Sequence, residues 1–224
     1  MKAPSFTHLP FGSLIGRDGL MLWIREHLDK CEIKGSYYEF GVLNGESIEQ
    51  SYFILRESVN KYVGFDSFEG LSPLSVRDER ALSYQPNFCE GNFKSMGCDA
   101  VRKHVLSCGM PDDKLILIEG FLEKSLTPQL RETLTASAGP ASVVHLDVDL
   151  YSSTIAALEF IYEFLQTGTW LLCDDYWTYR GSSACGTQRA LRDFLKRHPD
   201  ILIQEYCSYR GWSKAFIVER CSED

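Results

Sequence analysis

The chain has 224 residues, a formal net charge of -8, 44% hydrophobic residues and 24% charged residues. That length suits one substantial core, and the acidic balance without a dense Lys/Arg run argues against a nucleic-acid partner. No apolar run is long enough to cross a bilayer, "MKAPSFTHLPFGSLIG" has no continuous apolar signal core, and the eight cysteines scatter without a CxxC pair; this predicts a cytoplasmic protein, off the membrane, with reduced and mostly structural thiols.

The opening to Gly12 reads as a loose arm. Leu20, Trp23, Ile24 and Leu28 then fit an amphipathic helix with Asp18 as its cap. This arm and helix, residues 1–34, are the expected contacts of a homodimer. "SYYEFGV" is a strand, "ESIEQSYFILRES" a helix and "KYVGFDSF" the next strand. Residues 69–97 read as irregular, a substrate-covering segment. A helix "DAVRKHVLSCG", a strand "KLILIEG" and a helix over 126–134 follow. "SVVHLDVD" is a strand, "TIAALEFIYEFLQ" a helix, "TWLLCDDY" a strand and "TQRALRDFLKRH" a helix. The end reads as two strands joined by a turn. Strands and helices in alternation imply an α/β fold, a doubly wound, mostly parallel sheet closing on an antiparallel pair. Residues 1–224 are read as a single domain.

Two sets of residues carry chemistry. "YYEFGVLNGES" places Glu39 beside a glycine turn that opens into a helix, and ligands of open α/β sheets bind beyond the carboxyl ends of the strands. Gly41 and Gly45 form GxxxG, not the GxGxxG that cradles a pyrophosphate. Asp66, closing the second strand, is placed to accept hydrogen bonds from a ribose diol. The set predicts a nucleoside site.

"HLDVDLYSS" and "WLLCDDYW" both run from apolar residues into paired aspartates. If the first strand continues, His145, Asp147 and Asp149 share one face. Asp174 and Asp175 meet them at the rim. Flanked by Leu, Val, Tyr and Trp, these acids have too little positive charge nearby to offset them, so a hard divalent cation, Mg2+, is the expected neutraliser. Asp147, Asp174 and Asp175 are the expected ligands, with Asp149 in reserve. In "YSST", Ser152 or Ser153 is expected to cap the helix that follows. Trp177, Tyr179 and Trp212 are candidate pocket walls.

The stretches "YEFGVLNGESI", "VGFDSFEGL", "LILIEGFLEKSL", "HLDVDLYSST", "GTWLLCDDYW" and "YRGSSACGTQRALRDF", in this order, resemble the macrocin O-methyltransferase (TylF-type) family. The resemblance covers residues 14 to about 220. It implies a Rossmann-like class I methyltransferase with a seven-stranded sheet. It also implies Mg2+-dependent transfer of a methyl group from S-adenosylmethionine to a hydroxyl of a sugar or glycosylated small molecule. By position, Glu39, Gly41 and Gly45 would lie against the methionine and ribose, Asp66 on the ribose hydroxyls, and Gly120 and Phe121 beside the adenine. Asp147, Asp174 and Asp175 match the family's metal-binding acids. Asn44 stands where an arginine often does, a departure that bears on the contacts near the cofactor. A separate base has only weak candidates in His145, Tyr151 and Lys214. The rival readings are a non-catalytic nucleoside-binding scaffold, a DxD phosphatase and a dehydrogenase; the missing GxGxxG opposes the last.

Overall fold

The computed structural model describes residues 16–221, without the side chains of residues 80 and 81. The expected arm before Gly12 lies outside these residues. The elements are α1 (Arg17–Lys30), β1 (Ser36–Phe40), α2 (Glu46–Leu55), β2 (Tyr62–Asp66), α3 (Val76–Leu82), α4 (Cys98–Ser107), β3 (Leu115–Glu119), α5 (Leu122–Ser125), α6 (Pro128–Ser137), β4 (Ala141–Leu146), α7 (Tyr151–Ile161), β5 (Trp170–Cys173), α8 (Gly186–Arg197), β6 (Ile201–Tyr209) and β7 (Ser213–Arg220).

The strands form one seven-stranded sheet, ordered β3-β2-β1-β4-β5-β7-β6. Pairing is parallel from β3 to β5, and β7 runs antiparallel to both neighbours. Every residue of β1, β4 and β5 is buried, as expected of strands covered on both faces. Alternation divides them. Tyr38, Phe40, Val144 and Leu146 join one core with α6, α7 and α8. Tyr37, Val143, Trp170 and Leu172 join another with α1, α2 and α4. Among the described residues no helix is long and apolar enough to cross a membrane. The eight cysteines, all described, are free thiols.

Four local expectations are corrected. Asp18 sits in the first turn of α1, and the cap position is Gly16, with no side-chain cap. The segment 69–97 is not wholly irregular, since it contains α3. β4 ends at Leu146, so Asp147 and Asp149 lie beyond the strand and its alternation does not govern them. Asp149 has φ 58°, a left-handed backbone that re-aims the loop. Finally, neither Ser152 nor Ser153 caps α7. Its cap residue is Leu150, and a residue of the inserted segment serves the first amides.

Candidate active site

The chain lays β1, β2 and β3 outward in one direction, then returns to place β4 on the other side of β1. Such a reversal opens a crevice beyond the carboxyl ends of the two strands. Hydrogen bonds carry the ladder one residue past each strand. Gly41 N donates to Phe65 O (2.8 Å), Asp147 N to Phe40 O (2.9 Å) and Asp174 N to Leu146 O (2.9 Å). The glycine turn and both acidic strand ends are therefore fixed along one rim.

Gly41 is required by packing. Its φ is +89°, and a Cβ there would lie 1.8 Å from the backbone oxygen of Asp147. Gly45 (φ +88°) packs tightly on Val105 of α4. Asp66 holds the turn between them. One carboxylate oxygen accepts from the amides of Val42 (2.7 Å) and Leu43 (2.8 Å), the other from Phe68 N (2.6 Å). Burial raises this carboxyl above its ordinary pKa, and the three amides act against that rise. Asp66 and Phe121 line the same cavity. Gly120 (φ +134°) turns the chain after β3, and its amide donates to Asp66 O (2.9 Å).

Behind the rim lies a buried polar group. The register sets Glu39 of β1 beside His145 of β4. Both are fully buried. Glu39 accepts short hydrogen bonds from the hydroxyls of Tyr37 and Ser47, and its carboxylate is 3.4 Å from His145 Nδ1. His145 Nε2 has no hydrogen-bond partner but lies 3.9 Å from Asp174 Oδ1. Burial opposes charge on this imidazole; Asp174 and Glu39 outweigh it and raise the pKa to about 10. Glu39 is thus linked to the first cavity through His145 and Asp174 and to a second through Ser47.

Asp147, Asp149, Asp174 and Asp175 all face the first cavity, of about 340 Å³. A nitrogen or oxygen from each of His145, Asp147 and Asp174 lies within 4.8 Å of the others. Burial, then the neighbouring Asp174, raises the Asp147 carboxyl to about 8. Burial and Asp175 push Asp149 well above the carboxylate range. Asp175 is raised by burial, with its contact to Asp149 and a hydrogen bond from Thr178 Oγ1 (2.8 Å) working against the rise. Asp174 is the exception. Burial would raise it, but His145, Arg210 and Ser213 together lower it to about 2. Arg210, at φ 55° in the β6–β7 turn, donates to both Asp174 oxygens (3.3 and 3.2 Å). Positive charge at the rim comes from Arg210 and from the His145 imidazole, both directed at Asp174, and does not match four carboxyl groups. Clustered oxygen donors and carboxyls raised first by burial and then by one another fit a divalent cation.

The inserted segment is fastened over this rim. Asp78 of α3, 1% exposed, accepts from the amides of Tyr151 (2.7 Å) and Ser152 (3.4 Å) and from the Ser75 hydroxyl. An acid from another helix thus supplies the missing cap of α7. Gln85 Nε2 donates to Thr178 O (3.0 Å), and Phe88 meets Tyr179 edge-on at 5.8 Å. Tyr179 in turn donates to the backbone oxygen of Asp149 (2.8 Å).

The weak base candidates do not meet at the cavity. His145 lies behind the acids. Tyr151 hydrogen-bonds with Arg77 (2.6 Å) and Asp193 (3.2 Å) and faces a surface groove instead. Lys214 pairs with Glu205 (2.7 Å) over the Trp177 ring. Trp177 and Trp212 are partly exposed. Sequence reasoning missed Arg210, Ser47 and Arg17. Arg17 lines the second cavity, of about 500 Å³, with Asn44, Gln50 and Asp147. Ser47 closes the glycine-turn stretch without a signal of its own, while Arg17 and Arg210 lie outside every quoted motif and reach the rim only through the fold.

A family model described as macrocin-O-methyltransferase (TylF) matches residues 13–202. A relative from Streptomyces olivaceus, 8-demethyl-8-(2,3-dimethoxy-alpha-L-rhamnosyl)-tetracenomycin-C 4'-O-methyltransferase, is 28% identical over 148 residues. That stretch is 64% of this chain and 54% of the relative, so the match spans about half of the relative's length. The O-methyltransferase NovP superposes with a TM-score of 0.68 at 19% identity, covering 92% of this chain and 80% of its own. Apo CalS11, a TDP-rhamnose 3'-O-methyltransferase of calicheamicin biosynthesis, gives 0.53 at 16%, covering 92% and 82%. At such identities the two structures speak for the fold alone.

Proposed function

Because this chain belongs to the macrocin-O-methyltransferase family of S-adenosylmethionine-dependent enzymes, we propose that it methylates a hydroxyl of a sugar or glycosylated small molecule, with Mg2+ held by Asp147, Asp174 and Asp175. One observation carries the reading. The two cavities share Gly41, Leu43, Asp147 and Arg210, so a ligand in the glycine turn abuts the acids.

Asp66, Gly41 and Phe121 shape the nucleoside end. Arg17, in the second cavity, faces the amino-acid end and replaces the charge that Asn44 lacks. Ser47 and Glu39 stand behind it. In the reaction the substrate oxygen attacks the methyl carbon, the carbon–sulfur bond breaks with its electron pair left on sulfur, and the hydroxyl proton departs. A bound divalent cation supplies Lewis acidity that lowers the cost of losing this proton. Asp149 faces the cavity beside the proposed ligands and is not one of them; in its ionised form it would be the carboxylate that accepts the proton. The remaining work of the chain is orientation. The rim holds both reactants in register and the inserted segment limits water.

The test is calorimetric titration with S-adenosylhomocysteine, then methyl transfer to a rhamnoside with Mg2+ or with chelator. Binding, and turnover abolished by chelator, are expected. Absence of homocysteine-nucleoside binding would sink the reading. Unchanged turnover in chelator would remove the cation from it.

A further inference from the structure

A surface groove runs between α3, α7 and α8. Two adjoining hollows make it, of about 520 and 480 Å³, and both are lined by Arg77, Tyr151, Ile155 and Arg197. Among the described residues Glu123 alone lines both this groove and the first cavity. Its carboxylate is held by Ser153 Oγ (2.8 Å) and Ser72 Oγ (3.3 Å), which line the first cavity and not the groove. Val76, which is 83% exposed, and the half-buried Ile155 and Ala156 give the groove an apolar strip.

Charge beside this strip is uneven. Glu159 is matched by Arg197 (3.0 Å) and lies 2.9 Å from His198. Asp193 sits between Arg189 (3.5 Å) and Arg192 (3.9 Å) and accepts from the Tyr151 hydroxyl (3.2 Å). Arg77 and Lys196 are exposed, face the same hollow and, among the described residues, pair with no carboxylate. Arg77 Nη1 donates to the Tyr151 hydroxyl (2.6 Å), a neutral acceptor that leaves its charge in place. Tyr151 is 5% exposed, and the guanidiniums of Arg77 and Arg189 lie 5.2 and 5.1 Å from its ring. A buried side chain therefore fixes one of the two uncompensated cations. The same hydroxyl makes Arg77–Tyr151–Asp193 a polar link from α3 to α8.

We propose that this groove binds an amphipathic organic anion, with its apolar body along Val76, Ile155 and Ala156 and its acidic head between Arg77 and Lys196. Hollows of this size suit a small ligand better than a protein helix. The apolar strip supplies affinity that a bare inorganic anion lacks, and the two cations select the sign of the head. A head bridging Arg77 and Lys196 joins α3 to α8 a second time. Binding thus braces the inserted segment over the acidic rim, because the ligand stabilises the fastened state.

Calorimetric titration of the full chain with decanoate, decyltrimethylammonium and acetate separates these contributions. Decanoate should bind with a Kd of about 0.1 mM or tighter, and the other two about tenfold or more weakly. Val76 and Lys196 line neither of the first two cavities. Lys196→Glu and Val76→Asp should each weaken decanoate about tenfold with Tm unchanged, and Lys196→Arg should keep its affinity. Decanoate should also slow proteolysis of residues 71–97 in the parent protein and not in Lys196→Glu. Absence of saturable decanoate binding overturns the inference, as does equal affinity for decyltrimethylammonium or indifference to both Lys196→Glu and Val76→Asp. Binding without protection of residues 71–97 overturns the brace. Sedimentation with phosphatidylglycerol vesicles in place of decanoate binding would make the patch a lipid contact and overturn the small-ligand site.

Discussion

Arg210 grips Asp174 through both carboxylate oxygens, at 3.3 and 3.2 Å. The acid is nearly buried while the arginine keeps 35% of its side chain exposed. A pair open on its cationic side is held weakly, so the guanidinium competes with a metal ion for this carboxylate without excluding it. Arg210→Gln should therefore tighten Mn2+ or Mg2+ binding about tenfold, equivalent to roughly 1.4 kcal/mol. Manganese electron paramagnetic resonance gives the affinity directly. Weaker binding in the variant would show that the arginine orients the acid for the ion.

Cation affinity should also climb with pH. The Asp147 carboxyl moves from 3.8 to about 8, chiefly through burial and secondarily through Asp174. Between those values the folded chain holds more protons than the unfolded chain, so without a cation this group makes the fold less stable as pH rises. A cation must displace the proton, and its binding should tighten by up to about tenfold per unit from about pH 6 to about pH 8. Asp147→Asn should bind the ion poorly, with a flatter profile. Thermal shifts measured with and without Mg2+ across that range check both statements. A flat profile in the parent protein would contradict the raised carboxyl.

Removing Asp78 leaves the amides of Tyr151 and Ser152 without their acceptor. Loss of such a cap costs about 0.5–2 kcal/mol, which lowers Tm by several degrees in a domain of this size. Because the same carboxylate ties α3 to α7, Asp78→Ala should also expose residues 71–97 to protease before the sheet unfolds. Limited proteolysis with mass spectrometry locates the first cuts. Unchanged cleavage kinetics would show that Gln85 and Phe88 suffice to hold the segment.

Asp66→Ala separates two roles. The acid serves three backbone amides, those of Val42 and Phe68 part-buried and that of Leu43 exposed; a fully buried orphaned amide costs about 1–3 kcal/mol, and these cost less. A clear fall in Tm is expected, together with weaker S-adenosylhomocysteine binding, because the glycine turn loosens. An affinity loss with no change in Tm would mean that the carboxylate serves a ribose far more than the turn.

Much of the architecture was legible because its signals are periodic. Strands such as "VVHL" and "WLLC" are buried on both faces, and their apolar runs alternate with amphipathic helices. The acids were legible for the opposite reason, since paired aspartates after apolar runs break the pattern conspicuously. What escaped was set by partners distant in sequence. The capping serine expected in "YSST" lost to Asp78, some 70 residues upstream, because a buried carboxylate meets helix amides with a full charge. Arg210 escaped because β7 inserts between β5 and β6, and only that topology carries the hairpin turn to the rim. Asp66 shows a nearer failure. Its place at a strand end was readable, but its commitment to the amides of Val42 and Leu43 depends on the path of the glycine turn.

The contact between Gly41 and the backbone oxygen of Asp147 leaves no room for even a methyl group. The segment assigned to the donor and the segment assigned to the acceptor are thereby interlocked like two teeth of a gear. Because the obstacle is backbone, side-chain changes at 147–150 do not relieve it: libraries that vary residue 41 should yield mostly misassembled proteins, and those that hold it as glycine should keep folded members.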